Sequence, residues 1–370
     1  MAQRKYALDF RREETAYVME RWLASQSCSL IGIGSVGKSN LLRHLATPEV
    51  QTHFMGKAVV DNFKAITIDP NMLGTLPVAT VGDPGVRAWA GYELMMHRLF
   101  LAFYPFDMLT PDEMTHFYEA YQALQDGNNP LYAYMSLRYF ELGLELFMRR
   151  GMRVIFMFDE FEELIRSMPV KFFHNLRGLR DSYKGQLAYL TFTRSPIKVL
   201  AQQHNIAQTD IEPFEELFTD NIYFVGPYND LDSERMLKEV LQRTNKELPD
   251  YMISTLIYST GGYAGLLRSA LNVIDPQSHL PASNDLPQYL LGRLPIRSEC
   301  KVIWMSLTAS EQAVLKAVVR VQGYEKTPES ELAVAQLMQK KLLRFDRASQ
   351  QLDVHPPLLK LFILNRADEV

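Results

Sequence analysis

The stretch GIGSVGKSN, Gly32 to Asn40, constrains this chain more than any other. Before it, Ser29-Leu30-Ile31 is a short apolar run that suits a buried parallel strand ending at Gly32. After it, Asn40-Leu41-Leu42-Arg43-His44-Leu45 places leucines on one face of a helix. Strand, glycine-rich turn and helix in that order predict an α/β architecture. Two patterns overlap in the turn. Gly32 to Gly37 spell G-x-G-x-x-G, a dinucleotide fingerprint, and Gly32 to Ser39 spell G-x-x-x-x-G-K-S, a phosphate-binding loop. The first pattern requires an acidic residue about 20 positions on, at the close of the second strand. Asp61, after the apolar Ala58-Val59-Val60, is a late near match.

Lys38 and Ser39 decide between them. In a triphosphate loop, glycines let consecutive N–H groups curl around phosphate oxygens, the lysine reaches the β- and γ-phosphates, and the serine hydroxyl meets Mg²⁺. The positive end of the following helix adds to the attraction. A dinucleotide loop gives Lys38-Ser39 no task. The predicted nucleotide-binding set is therefore Gly32, Gly34, Ser35, Val36, Gly37, Lys38, Ser39 and Asn40. Chance alone would produce the four fixed positions in roughly one such chain in a hundred, so a plain glycine turn stays open until a second motif is found.

That motif is VIFMFDEFEEL, Val154 to Leu164. Val154 to Phe158 predicts a buried central strand, and Asp159 falls at its carboxyl end, where open α/β sheets bind ligands. Asp159 would share Mg²⁺ with Ser39, and Glu160 would orient or deprotonate an attacking water. The competing reading makes Asp159 a helix N-cap and Glu160, Glu162 and Glu163 a solvated first turn. With the loop upstream, the two motifs together favour ATP or GTP over NAD. A third apolar run, Leu187 to Phe192, ends in Thr193-Arg194-Ser195; Thr193 could orient water and Arg194 could neutralise γ-phosphate charge, or they could be a cap and a surface ion-pair partner. A fourth run, Ile222 to Pro227, closes the sheet and precedes LDSERMLKEVLQRT, a helix with Asp232 and Ser233 at its start.

Composition excludes several classes. With 370 residues and 47% apolar side chains the chain can bury a sizeable core, expected in two or three domains. The net charge of -4 leaves nucleic-acid contact to a local patch. The start has no apolar leader segment, and no apolar run reaches the roughly 18 residues of a membrane span, so no membrane role is expected. Cys28 and Cys300 lie far apart and read as buried thiols in a reducing cytoplasm, and the eight histidines form no zinc-binding spacing.

Together these residues resemble the P-loop ATPases of the STAND/AAA+ type and their archaeal, origin-recognition (Orc/Cdc6-related) relatives, over nearly the whole chain. Thr193-Arg194 is similar to the T-x-R sensor 1 of that class, and FVGPYNDLDSERML looks like its strand-to-lid junction. STGGYAGLLRSALNVI, Ser259 to Ile274, resembles the G-x-P lid motif, with Ala264 in place of the proline. Arg268, a turn later, matches a sensor 2 arginine, or is an exposed lid residue. DFRREETAYVMERWL resembles the segment before Walker A through Arg12-Glu13, without its glycine.

Between Pro84 and Arg150 the sequence predicts helices broken at Thr110-Pro111 and at Asp126 to Pro130. Tyr92, Met95, Met96, Leu99, Phe100, Phe103, Tyr132, Tyr134, Tyr139 and Phe140 fit helix faces that are either core or a partner surface. Pro276 to Pro295 reads as a linker with a short apolar stretch at Tyr289 to Leu291. Beyond it, Thr308 and Glu311 form a capping box, a second helix spans about Glu331 to Lys341, and LLRF, the turn Asp346 to Gln351 and LDVH predict a hairpin before PPLLKLFILN. That is the outline of a winged helix. Lys340, Lys341, Arg344 and Arg347 make a basic patch, nearly cancelled by Glu325, Glu329, Glu331, Asp346 and Asp353.

The expectation is a P-loop core over 1–226 with a helical insertion at about 85–150, a helical lid and linker over 227–297, and a winged-helix-like domain over 298–370. The resemblance implies a slow cytoplasmic ATPase that uses ATP and Mg²⁺ as a switch on a protein partner, with nucleotide-dependent self-assembly. Glu160, Thr193 and Arg194 would be catalytic, Arg268 would touch nucleotide, and Ser39 and Asp159 would hold Mg²⁺. Two alternatives stay open: an origin-recognition-like ATPase binding duplex DNA through 298–370, and a non-hydrolysing adaptor.

Overall fold

The computed structural model describes residues 6–74, 84–126, 132–274, 281–321, 323–347 and 350–366. Five strands form one sheet: β1 (Cys28–Ile31), β2 (Phe63–Ile68), β3 (Arg153–Phe158), β4 (Leu187–Thr193) and β5 (Ile222–Phe224), in the order β2-β3-β4-β1-β5. The pairs β2/β3, β3/β4 and β4/β1 are parallel. All residues of β1 and β4 are buried, as is β3 after Arg153, which is why these strands read as unbroken apolar runs. Their register aligns the carboxyl ends: Ile68 lies beside Phe158, Phe158 beside Thr191, and Ile31 beside Thr193.

The second strand is not where Ala58-Val59-Val60 suggests. Lys57–Val60 is a short helix and Asp61 follows it, exposed and paired with Lys57 at 2.8 Å. The strand begins two residues later, so Asp61 does not close it; Asp69 follows its end, but β3 and β4 separate β2 from β1, whereas a dinucleotide fold pairs its second strand with its first.

The chain divides into two compact units, residues 1–31 with 39–223, and residues 32–38 with 224–370. In the first, the helices Pro84–Phe103, Pro111–Gln125 and Tyr132–Arg149 pack on one another and the first of them on β2. Thr110 and Glu113 form a capping box that starts the middle helix. Tyr92, Met95, Met96, Leu99, Phe103 and Phe140 are buried in a core with Phe156 and Phe158 of β3, and Phe103 stacks on Phe147 at 3.8 Å between centroids. These residues are therefore core, whereas Tyr134 is exposed. The predicted break at Asp126 to Pro130 lies mostly outside the described residues.

In the second unit the helices are Asp230–Thr244, Asp250–Thr260, Ala264–Val273, Leu286–Leu291, Leu294–Met305, Ala309–Val319 and Pro328–Gln339, then a hairpin of β6 (Leu343–Asp346) and β7 (Gln351–Val354), and the helix Pro357–Arg366. The first helix has Asp232 and Ser233 buried at its start, as expected, and is capped by Asn229, whose side chain accepts the Asp232 N–H at 2.8 Å. Two expectations are corrected here. Leu286–Leu291, within the expected linker, and Leu294–Met305, which starts at its end, are helices, because Pro287 and Pro295 occupy first-turn positions that need no N–H. The helix expected at about 331–341 runs from Pro328 to Gln339, started by a Thr327 cap. Part of the expected linker, 275–280, and part of the hairpin turn, 348–349, lie outside the described residues.

Candidate functional site

The carboxyl ends of β2, β3 and β4 bring together most of the polar residues singled out in the first unit. Ser39 Oγ, in the first turn of the helix Lys38–Leu45, donates to Asp159 Oδ2 at 3.2 Å. Glu160 follows in the left-handed region at φ 41°, an uncommon conformation for a residue with a Cβ, and its N–H donates to Asp159 Oδ1 at 3.0 Å. Asp159 is thus not a helix cap; Glu160 occupies the cap position before Phe161–Ser167, without a side-chain cap bond.

Ser39 and Asp159 suit Mg²⁺. Bonds of about 2.1 Å in an octahedron put neighbouring oxygens roughly 3 Å apart, close to the separation found, and a hydroxyl with a carboxylate is an oxygen donor set this hard cation accepts.

Glu160 has a partner that the motifs did not indicate. Asn71 Nδ2 donates to Glu160 Oε2 at 3.1 Å and to Asp69 Oδ1 at 3.0 Å, so both amide hydrogens are used. Asp69 Oδ1 also accepts the Asn71 N–H at 2.9 Å, which fixes the short turn after β2. Eighty-nine residues separate Asn71 from Glu160; the available signal was a polar turn directly after an apolar strand.

On β4, Thr193 is fully buried, and its Oγ1 makes no hydrogen bond among the described residues. Arg194, next in the chain, is half exposed and lies between two carboxylates, 3.0 Å from Glu162 and 3.7 Å from Glu160.

The loop itself belongs to the second compact unit. Ser35 at φ 67° and Gly37 at φ 93° give it two left-handed residues. A Cβ on Gly37 would stand 3.0 Å from Tyr228 Oη and 3.2 Å from Ala264, the residue at the lid position where the resemblance expects proline. A Cβ on Gly34 would meet Val302 at 2.6 Å. Val36 is buried, and Gly32 is crowded by Val36 and Lys38. The loop is held by the helix Leu294–Met305 and its C-cap and by the helix Ala264–Val273: Ser35 Oγ donates to Glu299 Oε2 at 2.7 Å, Gly34 N–H to Ser306 Oγ at 3.3 Å, and Gly265 N–H to Ser35 O at 3.0 Å. Lys38 Nζ donates to the loop carbonyl of Gly32 and to that of Ile33 at 3.4 Å. Asn40 is buried at the start of the helix.

Arg268 is exposed on the lid helix Ala264–Val273. The predicted basic patch is smaller than its sequence suggests. Lys340 is buried and paired with buried Glu311 at 2.5 Å, while Arg344 and Lys360 share Asp353 at 3.2 and 2.8 Å. Lys341 and Arg347 remain exposed. Both cysteines are buried free thiols whose pKa burial pushes up to about 12, so neither is a ready nucleophile. Among the described residues no helix is long and apolar enough to cross a membrane.

No protein-family profile matches the sequence, and no curated protein does. Solved structures match over nearly its whole length. A Walker-type ATPase of Pyrococcus abyssi is 17% identical, with 96% of each chain covered and a TM-score of 0.52. The ORC2 protein of Aeropyrum pernix, solved in ADPNP–ADP complexes, is 12% identical, covers 96% of this chain and 92% of its own, and has a TM-score of 0.47. In its sheet order, its glycine loop and the acid pair that closes β3, the chain shares the fold of a Walker-type P-loop ATPase.

Proposed function

We propose that the chain binds ATP and hydrolyses it slowly, as a switch in which the C-terminal unit registers the state of the phosphate loop. The observation that carries the reading is the meeting of Ser39 with Asp159, and of Glu160 with Asn71, at the ends of the strands that follow and flank the G-x-x-x-x-G-K-S loop. Lys38 turns its ammonium from the loop carbonyls to the β- and γ-phosphates. Ser39 and Asp159 would hold Mg²⁺, which would supply positive charge to offset that of the phosphates. Glu160 accepts a proton from water as the water oxygen bonds to the γ-phosphorus and the bond to the β–γ bridging oxygen breaks, leaving ADP and phosphate. The buried Thr193 hydroxyl orients that water, and Arg194 offsets charge on the transferred group. Arg268 contributes a cation from the lid.

The switch part of the proposal rests on the loop's company. Ser35 and Gly34 are bonded to Glu299 and Ser306, within a unit that also contains the lid and the final helices and hairpin. We assign that last segment a winged-helix role inside the molecule, with a protein partner and ATP-dependent self-assembly as its output. The buried Lys340 and the paired Arg344 take two of the four cations of the predicted basic patch out of reach of duplex DNA, which supports the intramolecular role. ATP and ADP can shift such a switch only by the difference in their contacts with its two states.

The first test is nucleotide binding by Lys38→Ala. Its affinity for Mg-ATP should fall at least a hundredfold, and unchanged affinity would remove the site assignment. Glu160→Gln should bind Mg-ATP without turnover. Its solution mass, measured with Mg-ATP and with ADP, should rise only with ATP; a mass that rises only on addition of duplex DNA would favour the DNA-binding alternative, and full cellular function of this variant would favour a non-hydrolysing adaptor.

A further inference from the structure

We infer that Glu162 is a positioning residue: it draws Arg194 away from Glu160 and so keeps the general base available. The inference rests on the ATPase reading above and deepens it by naming what sets the state of that base. Four carboxylates, Asp159, Glu160, Glu162 and Glu163, follow β3, the last of them paired with Arg166, and one arginine, Arg194, follows the adjacent β4. Asp159 is engaged by Ser39 and by the Glu160 N–H. Arg194 stands between the other two, and the geometry is unequal. Its Nε is 3.0 Å from Glu162 Oε1, whereas its Nη2 is 3.7 Å from Glu160 Oε1. Glu162 is also the more buried partner, its side chain 12% exposed against 41% for Glu160, so its pull on the guanidinium is less screened by water.

Glu160 needs this arrangement more than Glu162 does. One oxygen of Glu160 already accepts from Asn71, and the other points toward Arg194. If the guanidinium closed on Glu160, its planar fork could pair both oxygens; with the bond from Asn71 that would occupy three of the carboxylate's roughly four acceptor positions and make it a weaker base toward the proton of water. Glu162 competes for the same cation. It sits in the first turn of the helix Phe161–Ser167, two positions from Glu160 and on the same element, so the competition is fixed by the backbone and does not depend on a mobile loop. With a γ-phosphate present the shared arginine has a third anion to meet, and an ion pair that faces Glu162 with Nε leaves its Nη donors to do so.

The test is a double-mutant cycle on Mg-ATP hydrolysis by the full chain. In Glu162→Gln the charge that competes for Arg194 is gone while the side chain keeps its size. Its kcat should fall about tenfold or more with KM for Mg-ATP changed less than about threefold, because the loss is in the chemical step. In an Arg194→Gln background the same substitution should change kcat less than about twofold, since no guanidinium remains to close on Glu160. Equal effects in the two backgrounds, or a normal kcat in Glu162→Gln, would overturn the inference. Mg-ATP binding by Glu162→Gln reports that it is folded; should it not bind, Glu162→Asp, which keeps the charge, must restore both binding and at least half of kcat, and failure to do so would also overturn the inference. Wild-type chain without turnover would refute the ATPase reading itself, and the role of Glu162 with it.

Discussion

Lys340 and Glu311 are buried together in the C-terminal unit, and breaking that pair should cost far more than breaking any pair on its surface. At 2.5 Å and an effective dielectric of about 20 the attraction is roughly 7 kcal/mol, set against desolvation of several kcal/mol for each ion. The net worth of the pair is therefore small, but Lys340→Met leaves a buried carboxylate without its cation, a loss of about 3–5 kcal/mol. Glu311 has a second task, since its Oε2 accepts the Thr308 N–H at 2.9 Å in the capping box of the helix Ala309–Val319. A glutamine can keep that bond without the charge. Lys340→Met with Glu311→Gln should therefore recover about 2–3 kcal/mol of the single-mutant loss. Amide hydrogen exchange in Ala309–Val319 reads this directly: the single variant should exchange about 10²–10³·⁵-fold faster than wild type, at roughly 1.4 kcal/mol per tenfold, and the double variant about tenfold faster. A single variant that exchanges less than tenfold faster, or a double variant as fast as the single, would refute the reasoning. The outcome also bears on DNA binding, because a lysine spent in this way cannot contact phosphate.

Two further predictions concern backbone and pH. Gly37→Ala should lower Mg-ATP affinity at least tenfold in a binding titration, because φ 93° and a contact at 3.0 Å with Tyr228 both resist a Cβ, whereas Gly178→Ala, in the helix Val170–Ser182 with open space around it, should raise stability by about 0.5–1 kcal/mol in urea unfolding. Burial pushes His355 down to about 4, so the unfolded chain binds more protons between about pH 6.5 and 4, and the stabilisation present above 6.5 is lost as pH falls through that window. Between pH 7 and 5 this should remove about 1 kcal/mol, allowing for partial exposure, and His355→Gln should flatten the pH dependence of unfolding by that amount.

How much of this was legible in the sequence depended on how each feature is encoded. β1, β3 and β4 announced themselves because strands buried on both faces are continuous apolar runs bounded by polar residues. β2 did not, since Phe63–Ile68 alternates burial and includes exposed Lys64, while the more apolar Ala58 to Val60 is helical. Asp159, Glu160 and Ser39 were placed by local motifs. Asn71 was not, because its relation to Glu160 exists only once β2 and β3 are paired. Prolines misled around residues 286–295: they signal breaks in a helix interior yet open helices when they stand in the first turn. Lys340 looked like a surface cation because its partner, Glu311, lies 29 residues back on another helix. Nothing in the spacing of Gly32 to Lys38 indicated that they would pack with residues beyond 224.

That last feature governs where this chain can be cut. A unit that takes Gly32–Lys38 from within another cannot be excised as one continuous cassette. A fragment beginning at 224 would carry Glu299 without the hydroxyl of Ser35, Ser306 without the amide of Gly34, and a bare Val302 where a glycine had lain. A fragment ending at 223 would keep the loop but none of those supports. Truncation, fusion and domain exchange should therefore treat the two units as one inheritance, joined at the loop as well as at the seam after Tyr223.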